Sequence, residues 1–486
     1  MTEANPRQIA RGSARDAAVI VAGVSVSVVL FLSGSPALAV LVTFGAAGTV
    51  MVGRKWPASG FLVLSFLSLV VPISYLGVPP VVLVLSPGLL LPLLSLIYVS
   101  RTRNVWTSPT YVLGAGVLIA YVLVVGVISD YMSASRAVAW AVAFALAFFV
   151  VPGLVSNPQG LRAALIGMGV VGGLWSLFAI FEGIRESSFL APFFSQSPEG
   201  LTQKWSAYRV LTTIGHPLLN ATFFAVVAAI GVSAFVKWGS KASLLLAVVA
   251  TGAVLATLSR SGVIGVAAGV IVASLLGLFR NSHGSRRRAG FLVASAIAGL
   301  VLFGGVVAAG GRDVVESAGS AQLRLEHLRL LGSLLAATGG FGSGIGASDV
   351  VLKLVGGVYA DFPLENSVLQ LFTGLGFFGT LLFVLVIAAF LVRASLRGAI
   401  VGPSMFAAYV ATAAGFNLFE AFPVALVLPM VALVITGMEA NVYTSGSSPA
   451  RELFSRESRQ RSSARISCGE DVAPAGGRSS HLVGRM

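Results

Sequence analysis

The chain is a succession of long apolar segments separated by short loops, and the short loops on alternate sides carry only positive charge. Candidate spans lie at 16–33, 36–53, 60–78, 80–99, 111–129, 136–155, 161–182, 215–236, 241–258, 261–279, 289–310, 367–392, 402–419 and 422–441. Each has the length of a helix that crosses a hydrocarbon layer, about 17–25 residues, and none shows the alternating ten-residue pattern of an outer-membrane barrel. Only 10% of the 486 residues are charged and 56% are hydrophobic. A soluble chain carries about a quarter charged residues. The expected fold is all-α and polytopic, with about fourteen transmembrane helices (12–14). The span at 80–99 holds Pro87 and Pro92 and is expected to be broken or re-entrant.

Placing the N-terminus in the cytoplasm puts Arg54, Lys55, Arg101, Arg103, Arg162, Lys237, Lys241, Arg280, Arg286, Arg287, Arg288, Arg393 and Arg397 in the short inner loops, with no Asp or Glu. That distribution is what the positive-inside rule requires. It predicts a multi-pass plasma-membrane protein with both termini cytoplasmic. Residues 1–15 form the N-terminal segment, 16–441 the membrane domain and 442–486 a basic, Ser- and Gly-rich tail of disordered composition. The first two apolar runs read as an uncleaved helical hairpin rather than a signal peptide. The net charge of +14 is accounted for by loops and tail, and a nucleic-acid partner is not expected. One cysteine, Cys468, leaves no disulfide within the chain.

Two long connections, 183–214 and 311–366, fall on the outer side, and long loops in compact domains usually carry function. Eleven acids lie there: Asp130, Glu182, Glu186, Glu199, Asp313, Glu316, Glu326, Asp349, Asp361, Glu365 and Glu420. The cations beside them are more informative, because the orientation rule works against them. They include Arg209, Arg260, Arg324 and Arg329. Arg260 sits in TLSRSG, a minimal turn between two spans. A guanidinium fork suits phosphate, which it meets with two parallel charge-assisted hydrogen bonds. The alternatives are snorkelling to lipid headgroups or pairing with a distant carboxylate for Arg260, and solvated loop charges for Arg209 and Arg324. No ionisable residue lies near the midpoint of a span, where an ion-coupled transporter normally needs one. No His, Cys and carboxylate spacing suggests a metal site, and no cofactor is expected.

These features occur in an order that resembles the O-antigen ligase and polysaccharide polymerase superfamily, integral membrane glycosyltransferases of the GT-C type. Arg209 leads into GHPLLNATFF from Gly215. TLSRSGVIG joins two helices. A large outer loop carries Arg324 and closes with GFGSGIGAS from Gly340, and ENSVLQLFTGLGFFG follows. The family's ligases carry His, then Asn, Ser or Gln, nine residues, Gly, two residues and Gly. From Glu365 this chain reads Glu-Asn, nine residues, Gly376, two residues, Gly379. Spacing and glycines match, and Glu replaces His.

The resemblance implies metal-independent, inverting transfer of a glycan from a polyprenyl diphosphate at the outer membrane face. Its partners would be the lipid-linked glycan, membrane lipids and other polysaccharide-assembly proteins. Glu365, Arg260 and Arg324 are then the catalytic candidates, and Arg209, Arg329, Asn366, His327 and Asp361 the substrate-binding ones. Glu365 would orient or deprotonate the acceptor hydroxyl, with His327 a possible replacement for the missing His. The competing reading of Glu365 and Asn366 is a helix N-cap. Two other functions stay open: a flippase for lipid-linked oligosaccharide, and a scaffold without chemistry.

Overall fold

The structure, a computed structural model, describes residues 57–70, 109–129, 134–150, 158–188, 207–279, 286–292, 314–355, 357, 364–421 and 423–442, with scattered positions between 20 and 50. Among these the fold is all-helical. The helices are α1 Pro57–Val70, α2 Pro109–Ile128, α3 Ala134–Ala145, α4 Pro158–Arg185, α5 Pro217–Trp238, α6 Lys241–Ala256, α7 Arg260–Leu278, α8 Val314–Arg329, α9 Leu331–Ala337, α10 Ser348–Val355, α11 Ser367–Leu396, α12 Val401–Ala413 and α13 Val424–Val442. Four of them (α1, α2, α4 and α5) begin at proline, whose missing N–H costs nothing in the first turn.

Among the described residues, five helices, α4, α5, α7, α11 and α13, are long and apolar enough to cross a membrane. Of these, α4, α7 and α11 present an apolar, exposed perimeter, as at Ile184, Ile264 and Leu396, the surface expected of a chain bathed in lipid. The expected span at 80–99 and most of 289–310 lie outside the described residues, as do Cys468 and the tail. In the first apolar runs, Thr43 Oγ1 donates to Ser27 Oγ at 2.9 Å and Gly23 lies against Ala46, so the two runs of the expected hairpin face each other.

Two expectations change. The span placed at 402–419 stops as a helix at Ala413, because the chain turns at Gly415 and Phe416 and gives the Phe416 carbonyl to Ser367. Thirteen residues rise only about 20 Å, less than a hydrocarbon core. The long connection 311–366, expected as a loop, holds the helices α8, α9 and α10.

The core forms around α5, which is apolar all round and 94% buried over its span. It packs against α4, α6, α7 and α12. Small residues set the spacing. A methyl added at Gly262 or Gly269 of α7 would come within 2.8 Å of Ala221 or Ala229 of α5. Helix pairs in lipid associate through such close backbone approach, since the hydrophobic effect no longer distinguishes their surfaces.

Candidate functional site

Three helix N-termini meet at residues 415 and 416. At α5, the His216 ring caps the helix, its Nδ1 accepting the Leu218 N–H at 3.3 Å, and stacks on Phe416 at 6.2 Å between centroids. At α7, Ser259 caps by accepting the Gly262 N–H at 3.2 Å, and the next residue but one, Ser261, lies against Gly415. At α11, Asn366 Oδ1 accepts the N–H groups of Val368 at 2.9 Å and Leu369 at 3.2 Å. Ser367 then donates to the Phe416 carbonyl from Oγ at 2.6 Å and from its N–H at 3.0 Å. Each N-terminus presents partial positive charge, so their convergence favours an anion.

The charged candidates ring this point. Arg324, from α8, places Nη2 3.6 Å from Glu365 Oε2, with the two side chains 37% and 35% exposed. Glu365 therefore faces a cation, while Asn366 alone supplies the cap. Arg260 is the first residue of α7 and is exposed. Arg209 is buried, with Nε donating to the Thr257 carbonyl at 3.1 Å in the turn that leads to Arg260. His216, next to that guanidinium, is lowered to about 4, first by burial and then by the Arg209 charge.

His327 is fully buried on α8 and does not line an open surface. Burial lowers its pKa, against the opposing pull of Glu365 and Asp349. Arg329 is engaged on its own helix by Glu326 at 2.6 Å and is 67% exposed. Asp361 lies outside the described residues.

The two glycine-rich motifs form one unit. Within α11 the backbone leaves helical geometry at Gly376, with φ 67° and ψ −175°. The segment Gly340–Gly344 fills the break: Ser343 N–H donates to the Thr373 carbonyl, Gly344 N–H to Gly374, and Phe377 N–H to Gly340, each at 2.9 Å. Tyr121 of α2 donates to the Phe341 and Leu375 carbonyls at 2.8 and 3.0 Å. Carbonyls and amides freed by the break are thus satisfied by protein, as lipid depth requires. The following residues are tied to Glu420, which accepts from Gly346 N–H at 3.0 Å and from the Ser348 hydroxyl. Burial pushes the Glu420 carboxyl up, opposed by those bonds.

From the capped end of α11 an apolar cavity of 320 Å³ runs along the helix between Val368 and Leu391, walled by Trp140, Phe144, Phe383 and Tyr409. It is of ligand size and fits hydrocarbon.

No family model, curated protein or solved structure matches this chain.

Sequence reasoning missed Glu182 and Glu420 as anchors, and the place of His216 beside Arg209. The signals present were local. His-Pro marks a helix start at 216–217, and Glu182 is an acid at the end of an apolar run.

Proposed function

We propose that the chain is a membrane glycosyltransferase that transfers or polymerises glycan from a polyprenyl-diphosphate donor at the outer face of the plasma membrane. The Arg324–Glu365 pair at the capped mouth of α11 carries this reading. A half-exposed ion pair is worth at most about 1 kcal/mol, so a substrate that offers each partner something better opens it readily. A diphosphate engages Arg324, and an acceptor hydroxyl engages Glu365. The converging helix N-termini and the exposed Arg260 support the anionic head, and the apolar cavity below Ser367 supports the prenyl chain.

In the reaction the acceptor oxygen bonds to the anomeric carbon as the bond from that carbon to the diphosphate oxygen breaks. The electron pair leaves with the diphosphate, and arginine charge stabilises it as it develops. The hydroxyl proton passes to Glu365. Attack opposite the leaving group inverts the anomeric centre.

The test follows lipid-linked glycan length in membranes carrying Glu365→Gln, Glu365→His and Arg260→Ala. Loss of a general base lowers the rate by about 10²–10⁴-fold, so Glu365→Gln leaves single repeat units at normal protein level. Glu365→His restores the ligase pattern and retains product. Wild-type chain length from Glu365→Gln and from Arg260→Ala would refute the assignment.

A further inference from the structure

Glu182, in the last turn of α4, is fully buried and holds the segment that carries Arg209. Its Oε1 accepts the Tyr208 hydroxyl at 2.7 Å and the Leu211 N–H at 2.8 Å. The Thr212 N–H is shared between its oxygens at 3.3 and 3.1 Å. Bonds to an ionised acceptor are among the strongest available to a backbone. They hold a strained turn, since Thr212 sits at φ 45°. Asn220 locks the other side: it accepts from Thr212 Oγ1 at 2.7 Å and donates to the Val210 and Leu211 carbonyls at 3.3 and 2.5 Å.

The held segment reaches the next motif through one side chain. Arg209 Nε donates to the Thr257 carbonyl. Leu258 follows at φ 54°, then the cap Ser259, then Arg260. The same turn is pressed from beneath, because a methyl at Gly183 would stand 3.1 Å from the Ala256 Cβ and 3.3 Å from the Val210 side chain. A continuous path therefore leads from the buried Glu182 carboxyl group through the 208–212 segment, its Arg209 and the 257–259 turn to the exposed Arg260 guanidinium.

We infer that Glu182 is a positioning residue that, through Arg209 and the Thr257 carbonyl, fixes Arg260 for a diphosphate head group. This rests on the reading of the site as a prenyl-diphosphate site. Arg209 is then a brace between two motifs, and Arg260 the guanidinium that meets the ligand.

The experiment measures binding of farnesyl diphosphate, with farnesol as the uncharged control, to the purified full chain in detergent. Glu182→Gln turns an amide N–H₂ toward backbone donors and is expected to weaken farnesyl diphosphate by about tenfold, leaving farnesol unchanged. Tyr208→Phe, which spares the carboxylate and its backbone bonds, weakens it about two- to threefold in the same direction. The deciding measurement is the double variant with Arg260→Ala. If Glu182 acts through Arg260, neither Glu182→Gln nor Tyr208→Phe costs further affinity once Arg260 is gone. Additive losses, equal losses for farnesol, or unchanged diphosphate affinity in both single variants would overturn the role of Glu182 and leave the diphosphate reading intact. If Glu182→Gln does not fold, the Tyr208→Phe pair decides in the same way. Absence of Arg260-dependent binding by the unmutated chain would overturn the diphosphate reading itself, and the inference with it.

Discussion

The two ends of α5 each hold an acid–base pair, and the pairs are built for different purposes. At the Lys237 end, Nζ lies 2.5 Å from Glu439 Oε1, with side-chain exposures of 4% and 0%. The other oxygen of Glu439 accepts the N–H groups of Ile400 at 3.1 Å and Gly402 at 3.0 Å. Nearby, the Gly239 N–H closes α5 onto Phe235, whose carbonyl also takes Arg288 Nη1. Lone pairs, amides and charges there are satisfied by one another. At the His216 end, Arg324 and Glu365 stand 3.6 Å apart and more than a third exposed, among three helix N-termini and the strained turns at Thr212 and Leu258. One end spends its polar groups on closure. The other keeps two opposite charges within reach of a third party, the mark of a site rather than a staple.

The sharpest way to break this contrast is to remove one cation from each end. Lys237→Met leaves Glu439 charged in a closed interior, and the loss of one partner of a buried pair costs about 3–5 kcal/mol. Arg324→Met costs at most about 1 kcal/mol. Folded protein remaining after a heating series, followed by size-exclusion chromatography, should fall early for Lys237→Met and stay near wild type for Arg324→Met. Equal losses would erase the distinction between the ends.

Gly376→Ala probes the strained end by itself. Its φ and ψ belong to a region open essentially to glycine alone, and strain there is of order 1–3 kcal/mol. The added methyl also enters the backbone of Gly340–Gly342. Limited proteolysis should therefore cut the 340–348 segment faster in this variant, while Lys237 and Glu439 stay protected.

A further test concerns pH. His216 stays neutral in the folded protein down to about 4, against an ordinary value of 6.5. Between those values the unfolded chain binds the extra proton. Stability is therefore full above about 6.5 and is lost as the pH falls toward 4, by up to about 1.4 kcal/mol per pH unit. His216→Asn keeps a capping oxygen and cannot titrate. Its melting temperature should fall less steeply than wild type over that range, and parallel curves would remove His216 from the account.

Much of the framework was legible because it is local. Pro217, the Gly239–Ser240 turn, Ser259 and Asn366 announce helix boundaries within a residue or two of where they occur. Spacing from Glu365 to Gly376 and Gly379 marked the region that breaks, but not the break, because a glycine in an apolar run reads equally as a packing notch. The end of α12 at Ala413 was hidden by apolar residues that continue past it. What sequence could not give was partnership. Glu365 with Arg324, Glu439 with Lys237, and Glu182 with the amides of Leu211 and Thr212 are meetings of distant segments, and an isolated acid carries no sign of which donor it will find. His327 illustrates the cost: its place three residues after Arg324 suggested a surface role, and the helical turn carries it inward instead.

The Lys237–Glu439 pair also sets a timetable for biosynthesis. Its members are 202 residues apart in the chain, whereas Ser343 and Thr373, which close the break in α11, are separated by 30. At about 5–20 residues per second, the lysine is added to the chain roughly 10–40 s before its carboxylate exists. Throughout that interval its ammonium has to rest among water or headgroups. The seam of α11 can close while the ribosome is still working, and the lysine end can be sealed only after α13 has been made.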